Sequence, residues 1–232
     1  EVLIRVLDRE EIALAWVGHL PSAFHRDPHD GNLALYRELG AHRTRLHPSP
    51  VVRPDWPGWQ TELSRAVDEG ARSIRAYPAH WGLGPEHPAL VELASACASR
   101  KLPVLLTVRF EDARQRHAID VAGDLPAATI RGLARAGTGA RIVVVAAGRG
   151  LIEEVHWGLT PIERELVFYD TSWIWGPPED DFAHLLRTLG PARFVYGTGW
   201  PMRLAQVTRA NLALLPADLT APALANPLAW AE

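Results

Sequence analysis

The sequence predicts a mixed α/β chain of the (β/α)8 barrel class, in which parallel strands are enclosed by helices. Short β-rich apolar runs alternate along the chain with amphipathic stretches, and a turn follows each run. Strands that are apolar at nearly every position are covered on both faces, which indicates a parallel sheet. The strand starts lie roughly 25 to 35 residues apart, as in repeated βα units. No Gly-rich dinucleotide fingerprint follows the first strand, which favours a barrel over a doubly wound sheet.

Seven strands are predicted from the apolar runs, and the turn residues on either side set their limits. The runs cover residues 14–20, 43–49, 73–80, 103–110, 141–148, 166–173 and 193–200. Segments 137–142 and 146–151 contain glycines without the GxGxxG spacing, so they are interpreted as turns. Segment 19–32 holds three histidines among Pro and Gly residues whose spacing fits no standard metal pattern, and it is interpreted as a loop.

Helices are predicted where apolar residues recur at intervals of three and four. The clearest stretches are 31–39, 58–70, 87–100 and 180–190, and Gly70 and Gly190 stand where a helix C-cap belongs. A barrel needs an eighth strand. The helical pattern of residues 1–11 precedes the first recognisable strand, as the end of helix one would. We therefore expect strand one of the barrel to be absent or to lie upstream of this chain.

Composition limits the classes of partner. The 232 residues are enough for one large domain, 1–232, with a sizeable core. The net charge is −3 and the two signs are mixed, which argues against nucleic acid or an anionic membrane as a partner. Cys97 is the only cysteine, and no leader or membrane-spanning apolar run is present. We expect a cytoplasmic protein with a small-molecule partner, and the sequence leaves a homo-oligomer open.

Chemistry in a barrel belongs at the C-terminal ends of the strands, and these ends carry polar and aromatic side chains. The expected catalytic residues are His19, His80 and Asp170, because imidazole is the side chain best suited to proton transfer near neutral pH. Each has a structural alternative: a hydrogen-bonded histidine, or a helix cap at Asp170. The side chains expected to bind substrate are those of His47, Tyr77, Arg109, Trp173 and Trp200.

Arg109 is the strongest candidate for a binding residue. It shares strand parity with Thr107, which directs its side chain toward the barrel axis. Burying an arginine there is costly unless a counter-charge or an anionic ligand accompanies it. A substrate carboxylate or phosphate meets that need, and so do Glu111, Asp112 or Asp170 as structural partners. The sequence leaves both interpretations open.

Trp173 and Trp175 alternate in "SWIWGPP", at the end of the predicted strand 166–173 and just past it. Alternation places both rings on one side, and we predict that they form part of a pocket rim. Nine tryptophans are many for a chain of this length, and core packing or an oligomer interface is the alternative role for most of them.

Three segments together resemble a known family. Segment 70–114 has an arginine-bearing strand ending in Pro, then a helix and a "PV" strand; "RFVYGTGWP" and "ANPLAW" stand near the C-terminus. These segments resemble parts of the amidohydrolase-related superfamily, whose members are (β/α)8 metal-dependent hydrolases and decarboxylases. Segment 70–114 resembles the fourth and fifth βα units, "RFVYGTGWP" the last strand and "ANPLAW" the closing helix. The resemblance covers essentially the whole chain from Val2 onward. It implies the barrel fold and hydrolase-like chemistry on a small molecule.

The resemblance also implies a metal, which lowers the pKa of a bound water and polarises the substrate. Members of the superfamily hold it with His-x-His on strand one, a His on each of strands five and six, and an Asp on strand eight. Here the strand-five position falls on Thr107, the strand-six position on Ala146 and the strand-eight position on Gly199. None of these side chains is a usual metal ligand. We therefore predict a degenerate metal site, with no cofactor and no metal ligands.

Three functions stay open on this basis. The first is an enzyme that works without the metal, in which Arg109 binds an anionic substrate. The second is a hydrolase or decarboxylase with relocated ligands from His19, His47 and His80, and one divalent metal such as zinc. The third is a non-catalytic ligand-binding protein or partner subunit.

Overall fold

A computed structural model describes residues 1–174 and 180–229, with side chains up to residue 225. Its seven strands are β1 Ala15–Val17, β2 Leu46–Pro48, β3 Ile74–Ala76, β4 Val104–Thr107, β5 Ile142–Val145, β6 Val167–Asp170 and β7 Phe194–Val195. Each predicted apolar run contains one of them, so the seven strand predictions are confirmed. The strands are short because only their central residues join the ladders. Trp175 and Trp230 lie outside the described residues.

All strand pairs are parallel, as the apolar runs predict. β1 pairs with β2, and β3 to β7 form a five-stranded sheet in sequence order. An isolated parallel bridge between Val51 and Arg75 continues β2 onto β3. Among the described residues, no strand pairs with the outer edge of β1 or of β7. The described wall is therefore a seven-stranded barrel with an opening between β1 and β7, which we call the seam.

The helices follow the strands on the outside of the wall. They are α1 Val2–Arg9, α2 His29–Leu39, α3 Trp59–Asp68, α4 Pro78–Trp81, α5 Pro88–Ala98, α6 Ala127–Arg135, α7 Arg149–Trp157, α8 Pro161–Arg164, α9 Phe182–Leu189, α10 Ala205–Ala213 and α11 Ala217–Ala229. The helix predicted within 1–11 is confirmed as α1. None of the described helices combines the length and apolar character needed to cross a bilayer.

Glycine and proline explain several of the helix limits. Gly70 and Gly190 have φ of 74° and 90°, in the region that other residues avoid, and they follow α3 and α9 as predicted. Two turn predictions are wrong in part. Within 146–151, α7 begins at Arg149 after Gly148. Within 19–32, Pro28 precedes α2, and Asp30 lies in its first turn, where an acidic side chain suits the helix dipole.

Alternation along the strands separates two apolar layers. Ile74, Leu106 and Val144 face outward and are completely buried under the helices. Leu105 and Val143 face the barrel axis, where they form a smaller cluster with Phe168, Val195 and Trp16. The next inward positions, two residues further along each strand, open onto the C-terminal mouth. That mouth is where the polar strand ends meet.

Candidate functional site

A cavity of about 750 Å³ occupies the C-terminal mouth and the barrel interior. This volume is within the range of sites for small ligands. The inward parity of β3, β4 and β6 places their polar residues on the cavity wall. These are Arg75, Tyr77, Thr107, Arg109, Asp170 and Ser172. The apolar cluster of the barrel interior forms the floor beneath them.

Asp170 ends β6 and is one of two buried carboxyl groups among the residues that line the cavity, the other being Glu10. Its Oδ1 accepts hydrogen bonds from the Ala146 backbone N–H at 2.8 Å and the Ser172 hydroxyl at 3.0 Å. Burial raises the pKa of Asp170, while these two hydrogen bonds and the charge of Arg75 oppose the shift. A buried carboxyl with a raised pKa exchanges protons at a higher pH than an ordinary aspartate. Oδ1 is thus held by two hydrogen bonds, and Oδ2 has no hydrogen-bond partner in the described part of the chain.

Three glycines make room for the charged groups. An ideal Cβ at Gly197 would lie 2.3 Å from Asp170 Oδ2, and one at Gly18 would lie 2.8 Å from Arg75 Nε. Gly199 has φ of +65°, and a Cβ there would lie 2.9 Å from Cδ of Arg203. Separations under 3.0 Å are closer than real Cβ contacts allow. A residue larger than glycine at position 197, 18 or 199 would therefore displace the neighbouring side chain of Asp170, Arg75 or Arg203, respectively.

Arg75 is the arginine in the middle of β3, and it was not among the predicted site residues. Its neighbours Ile74 and Ala76 are completely buried on the outer face, so alternation directs Arg75 inward. Its Nε is buried, has no hydrogen-bond partner in the described part of the chain, and makes no ion pair there. Arg75 acts on the Asp170 carboxyl through its charge at longer range, and it also lies close enough to the Tyr77 hydroxyl to oppose the rise of that group's pKa. Arg75 is thus a cation on the cavity wall without a bound carboxylate.

Two further arginines gather around Trp173. The guanidinium carbon of Arg203 lies 3.6 Å from the centroid of the Trp173 ring, and that of Arg109 lies 5.6 Å away. Burial lowers the pKa of Arg203 to about 10, so this group stays protonated at neutral pH. Arg109 also donates to Asp124 Oδ2 across 2.7 Å. The predicted partners of Arg109 were therefore wrong in identity, because Asp124 from the loop before α6 takes the place proposed for Glu111, Asp112 or Asp170.

Six of the eight predicted site residues line the cavity. They are His47, Tyr77, Arg109, Asp170, Trp173 and Trp200. His47 lies in the middle of β2, where burial and the charge of Arg72 lower its pKa. Tyr77 follows β3; burial raises its pKa, and Arg75 and Thr107 oppose that shift.

The two remaining predictions, His19 and His80, do not line the cavity. His19 Nδ1 lies 2.8 Å from Ser22 Oγ, and its ring lies close to Gly31 of α2. His80 Nε2 lies 3.0 Å from Asp120 Oδ1 beneath Phe110, and both side chains of that pair are less than a tenth exposed. Burial lowers the pKa of both histidines. The expectation that they share the cavity with Asp170 is not met, because each turns toward a helix or loop outside it.

The donor groups do not fit the metal centre that the resemblance implies. Ala146 and Gly199 offer no side-chain ligand, and Thr107 offers a neutral hydroxyl, which is not a usual ligand for zinc. Across residues 1–174 and 180–229, no three His, Cys, Asp or Glu side chains come together in an arrangement that could hold a metal ion. The relocated set of His19, His47 and His80 is likewise not assembled.

The fold and cavity define a barrel protein with an arginine-rich site. No family model matches the sequence, and no curated protein matches it. Several solved structures match the chain in fold. 5-Carboxyvanillate decarboxylase from Sphingomonas paucimobilis is 14% identical with a TM-score of 0.75, over 99% of this chain and 81% of that one. 2,6-Dihydroxybenzoate decarboxylase from Rhizobium is 13% identical with a TM-score of 0.74, over 100% and 87%.

A third similar structure is a putative 2-pyrone-4,6-dicarboxylic acid hydrolase from Pseudomonas putida. It is 17% identical with a TM-score of 0.64, over 99% of this chain and 86% of that one. At such low identity these likenesses establish the fold. The chain has the barrel fold of these solved structures, and the barrel fold predicted from the sequence is confirmed.

Proposed function

We propose that this protein is a metal-independent, hydrolase-like enzyme that acts on an anionic small molecule in the barrel cavity. One observation carries the proposal: a buried carboxyl group, Asp170, shares a cavity with Arg75, a cation that has no bound carboxylate. Buried charges in proteins are normally paired, and perturbed titratable groups in a cleft are typical of functional sites.

The anion-binding part of the proposal rests on the arginines. The planar guanidinium of Arg75 suits a carboxylate, which it can bind through two parallel hydrogen bonds. Arg109 is less available, since its guanidinium already binds Asp124. Arg203, stacked on Trp173, adds positive charge to the same wall. We therefore assign the primary anion contact to Arg75, with Arg203 contributing to the field of the site.

Asp170 is assigned the proton transfer. In its ionised form, Oδ2 takes a proton from a water molecule, and the resulting hydroxide attacks a carbonyl carbon of the substrate. The oxyanion that forms is stabilised by the positive wall of Arg75 and Arg203. When the tetrahedral intermediate collapses, protonated Asp170 returns the proton to the leaving group. Ala146 and Ser172 hold Oδ1 throughout and so keep Oδ2 directed toward the substrate.

The names of the similar structures support an acidic substrate. 5-Carboxyvanillate, 2,6-dihydroxybenzoate and 2-pyrone-4,6-dicarboxylic acid are all carboxylates, and they belong to proteins with this fold. Two of the three proteins are decarboxylases, so loss of CO₂ is the second reaction to measure. In that reaction, protonated Asp170 would give its proton to the carbon that loses CO₂.

Turnover tests the proposal. The protein is incubated, in the presence of a chelator, with esters, lactones and amides that bear a carboxylate, and hydrolysis is measured. Aromatic carboxylates are tested in the same way for release of CO₂. We expect turnover of at least one member, and a loss of about a hundredfold or more in kcat for Asp170→Asn. His80→Gln, which alters a histidine outside the cavity, is the control and should retain most activity. Binding without turnover would instead favour a non-catalytic protein, and turnover only after metal addition would favour the relocated-ligand enzyme.

A further inference from the structure

A buried hydroxyl group on the cavity wall has no hydrogen-bond partner. Thr107 is the last residue of β4; it lines the cavity and is 4% exposed. Its Oγ1 makes no hydrogen bond within the described part of the chain. A buried hydroxyl without a partner costs free energy, so such a group on a cavity wall indicates a ligand that supplies the partner. The resemblance implies a metal-ligating histidine at this position, and the chain has a hydroxyl group there instead.

The strand register brings the Thr107 hydroxyl next to that of Tyr77. Ala76 pairs with Leu106, so the residues that follow them stand side by side on neighbouring strands. Such strands lie about 4.8 Å apart, and alternation directs both side chains into the cavity. Arg75 and Thr107 are both close enough to the Tyr77 hydroxyl to oppose the rise of its pKa. Arg75, Tyr77 and Thr107 therefore form one polar cluster, which we call the donor cluster.

The donor cluster has more hydrogen-bond donors than acceptors. A guanidinium only donates, and Arg75 Nε has no partner among the described residues. A hydrogen bond between the hydroxyls of Tyr77 and Thr107 uses one of their protons and leaves the other without an acceptor. Burial raises the pKa of Tyr77, so its phenol stays protonated at neutral pH and remains a donor. The donor cluster therefore fits a ligand group that only accepts hydrogen bonds.

The carboxyl group of Asp170 stands at the level of the donor cluster but two strands away. Thr107 pairs with Val145 of β5. The register of β5 with β6 puts Asp170 at the level of Val145. Two strand spacings of about 4.8 Å therefore separate the backbone of Thr107 from that of Asp170. A ligand held by the donor cluster can lie across Val145 and present its reacting carbon to Asp170.

We propose that Thr107 is a specificity-determining residue of this site, whose hydroxyl, together with that of Tyr77, donates a hydrogen bond to the substrate carboxylate held by Arg75. An ionised carboxylate has only acceptors, with about four lone-pair positions on its two oxygens, so it can satisfy the whole donor cluster at once. This inference rests on the proposed function for the anionic substrate. It adds the two uncharged groups that recognise the carboxylate.

The test is a calorimetric titration of benzoate into wild type and variants of Thr107. Thr107→Val replaces the hydroxyl with a methyl group, and its affinity should fall by roughly tenfold, as for the loss of a hydrogen bond to a charged group. Thr107→Ser keeps the hydroxyl and should retain most of the affinity. Thr129→Val is the matched control and should bind as wild type, because Thr129 Oγ1 is also buried without a partner in the described part of the chain but lies on α6, off the cavity lining. Tyr77→Phe removes the second hydroxyl and should also weaken binding.

The outcomes separate the two proposals. If benzoate does not bind wild-type protein, the anionic substrate of the proposed function is overturned. Binding that is weakened in Arg75→Gln but unchanged in Thr107→Val would overturn the role of Thr107 alone. Equal losses in Thr107→Val and Thr107→Ser would also overturn it, because packing rather than the hydroxyl would then set the affinity. If Thr107→Val does not fold, Thr107→Ser and Tyr77→Phe decide, and normal binding by Tyr77→Phe would overturn the inference.

Discussion

The carboxylate of Asp170 lies against the backbone of Gly197, so closely that an ideal Cβ at position 197 would be 2.3 Å from Oδ2. The two residues belong to neighbouring strand ends, with Asp170 closing β6 and Gly197 following β7. The segment "YGTGWP" therefore carries glycines at positions 197 and 199 because neighbouring side chains occupy the space beside them. The glycines leave space for Asp170 and Arg203, and the site is built from the groups that occupy that space.

Gly197→Ala is expected to displace the Asp170 side chain. The methyl group meets a carboxylate held by Ala146 and Ser172, and overpacking of this kind costs about 1–3 kcal/mol. The melting temperature and the affinity for a carboxylate should both fall. Gly150→Ala is the matched control, because a Cβ there meets nothing within 4 Å and alanine suits the helix α7. Equal melting temperatures for wild type and Gly197→Ala would contradict the packing described for Asp170.

Asp170 should impose opposite pH trends on activity and stability. Burial raises its pKa in the folded protein, so its contribution to stability is full below the unfolded value of about 3.9 and is lost as pH rises through the folded pKa. Activity needs the ionised carboxylate and should rise through the same range. Asp170→Asn should gain stability relative to wild type as pH increases, and should lack turnover. Melts of both proteins from acid to neutral pH measure this difference, and a difference independent of pH would count against a raised pKa.

Sequence alone predicted the scaffold better than the charges within it. Apolar runs and helical periodicity located all seven strands because burial on both faces leaves a local pattern. Arg75 was missed although it has a local signal, a charge between two apolar residues in "SIRAY" whose parity directs it inward. Arg203 lies in the loop after β7, so only the folded chain shows that it stacks on Trp173.

The histidines show the limit of predictions based on residue type. His19 and His80 stand near strand ends, as catalytic histidines do, but they turn toward Ser22 and Asp120. Side-chain direction beyond a strand depends on loop conformation, which leaves no periodic signal. Asp124 is a similar case, since it pairs with Arg109, which follows β4 and lies fifteen positions earlier in the chain.

Arg109→Lys should lower the stability of the fold only slightly and should leave the affinity for a carboxylate almost unchanged. Arg109 pairs with Asp124, whose side chain is 37% exposed, and ion pairs that exposed contribute less than about 1 kcal/mol. Arg75 remains to bind the anion. Melting curves of Arg109→Gln, Asp124→Asn and the double variant give the coupling energy, and titration with acetate gives the affinity. A loss of affinity in Arg109→Lys as large as that in Arg75→Gln would move the anion contact to Arg109.

The purified protein should carry no stoichiometric zinc, manganese or iron. Thr107, Ala146 and Gly199 replace the expected ligands, and outer groups cannot substitute for missing direct ligands. Elemental analysis of protein purified without chelator measures this. About one metal per chain, lost in His80→Ala, would overturn the prediction and restore the relocated-ligand enzyme.

The decisive measurement is the binding of a carboxylate to chelator-treated protein. Benzoate is titrated calorimetrically into wild type and Arg75→Gln, with folding of the variant verified by its melting curve. We expect saturable binding by the wild type without metal, and a loss of affinity of roughly tenfold or more in Arg75→Gln, as for the loss of a charge-assisted hydrogen bond. Binding that requires added metal, or that is equally strong in the two proteins, would contradict it.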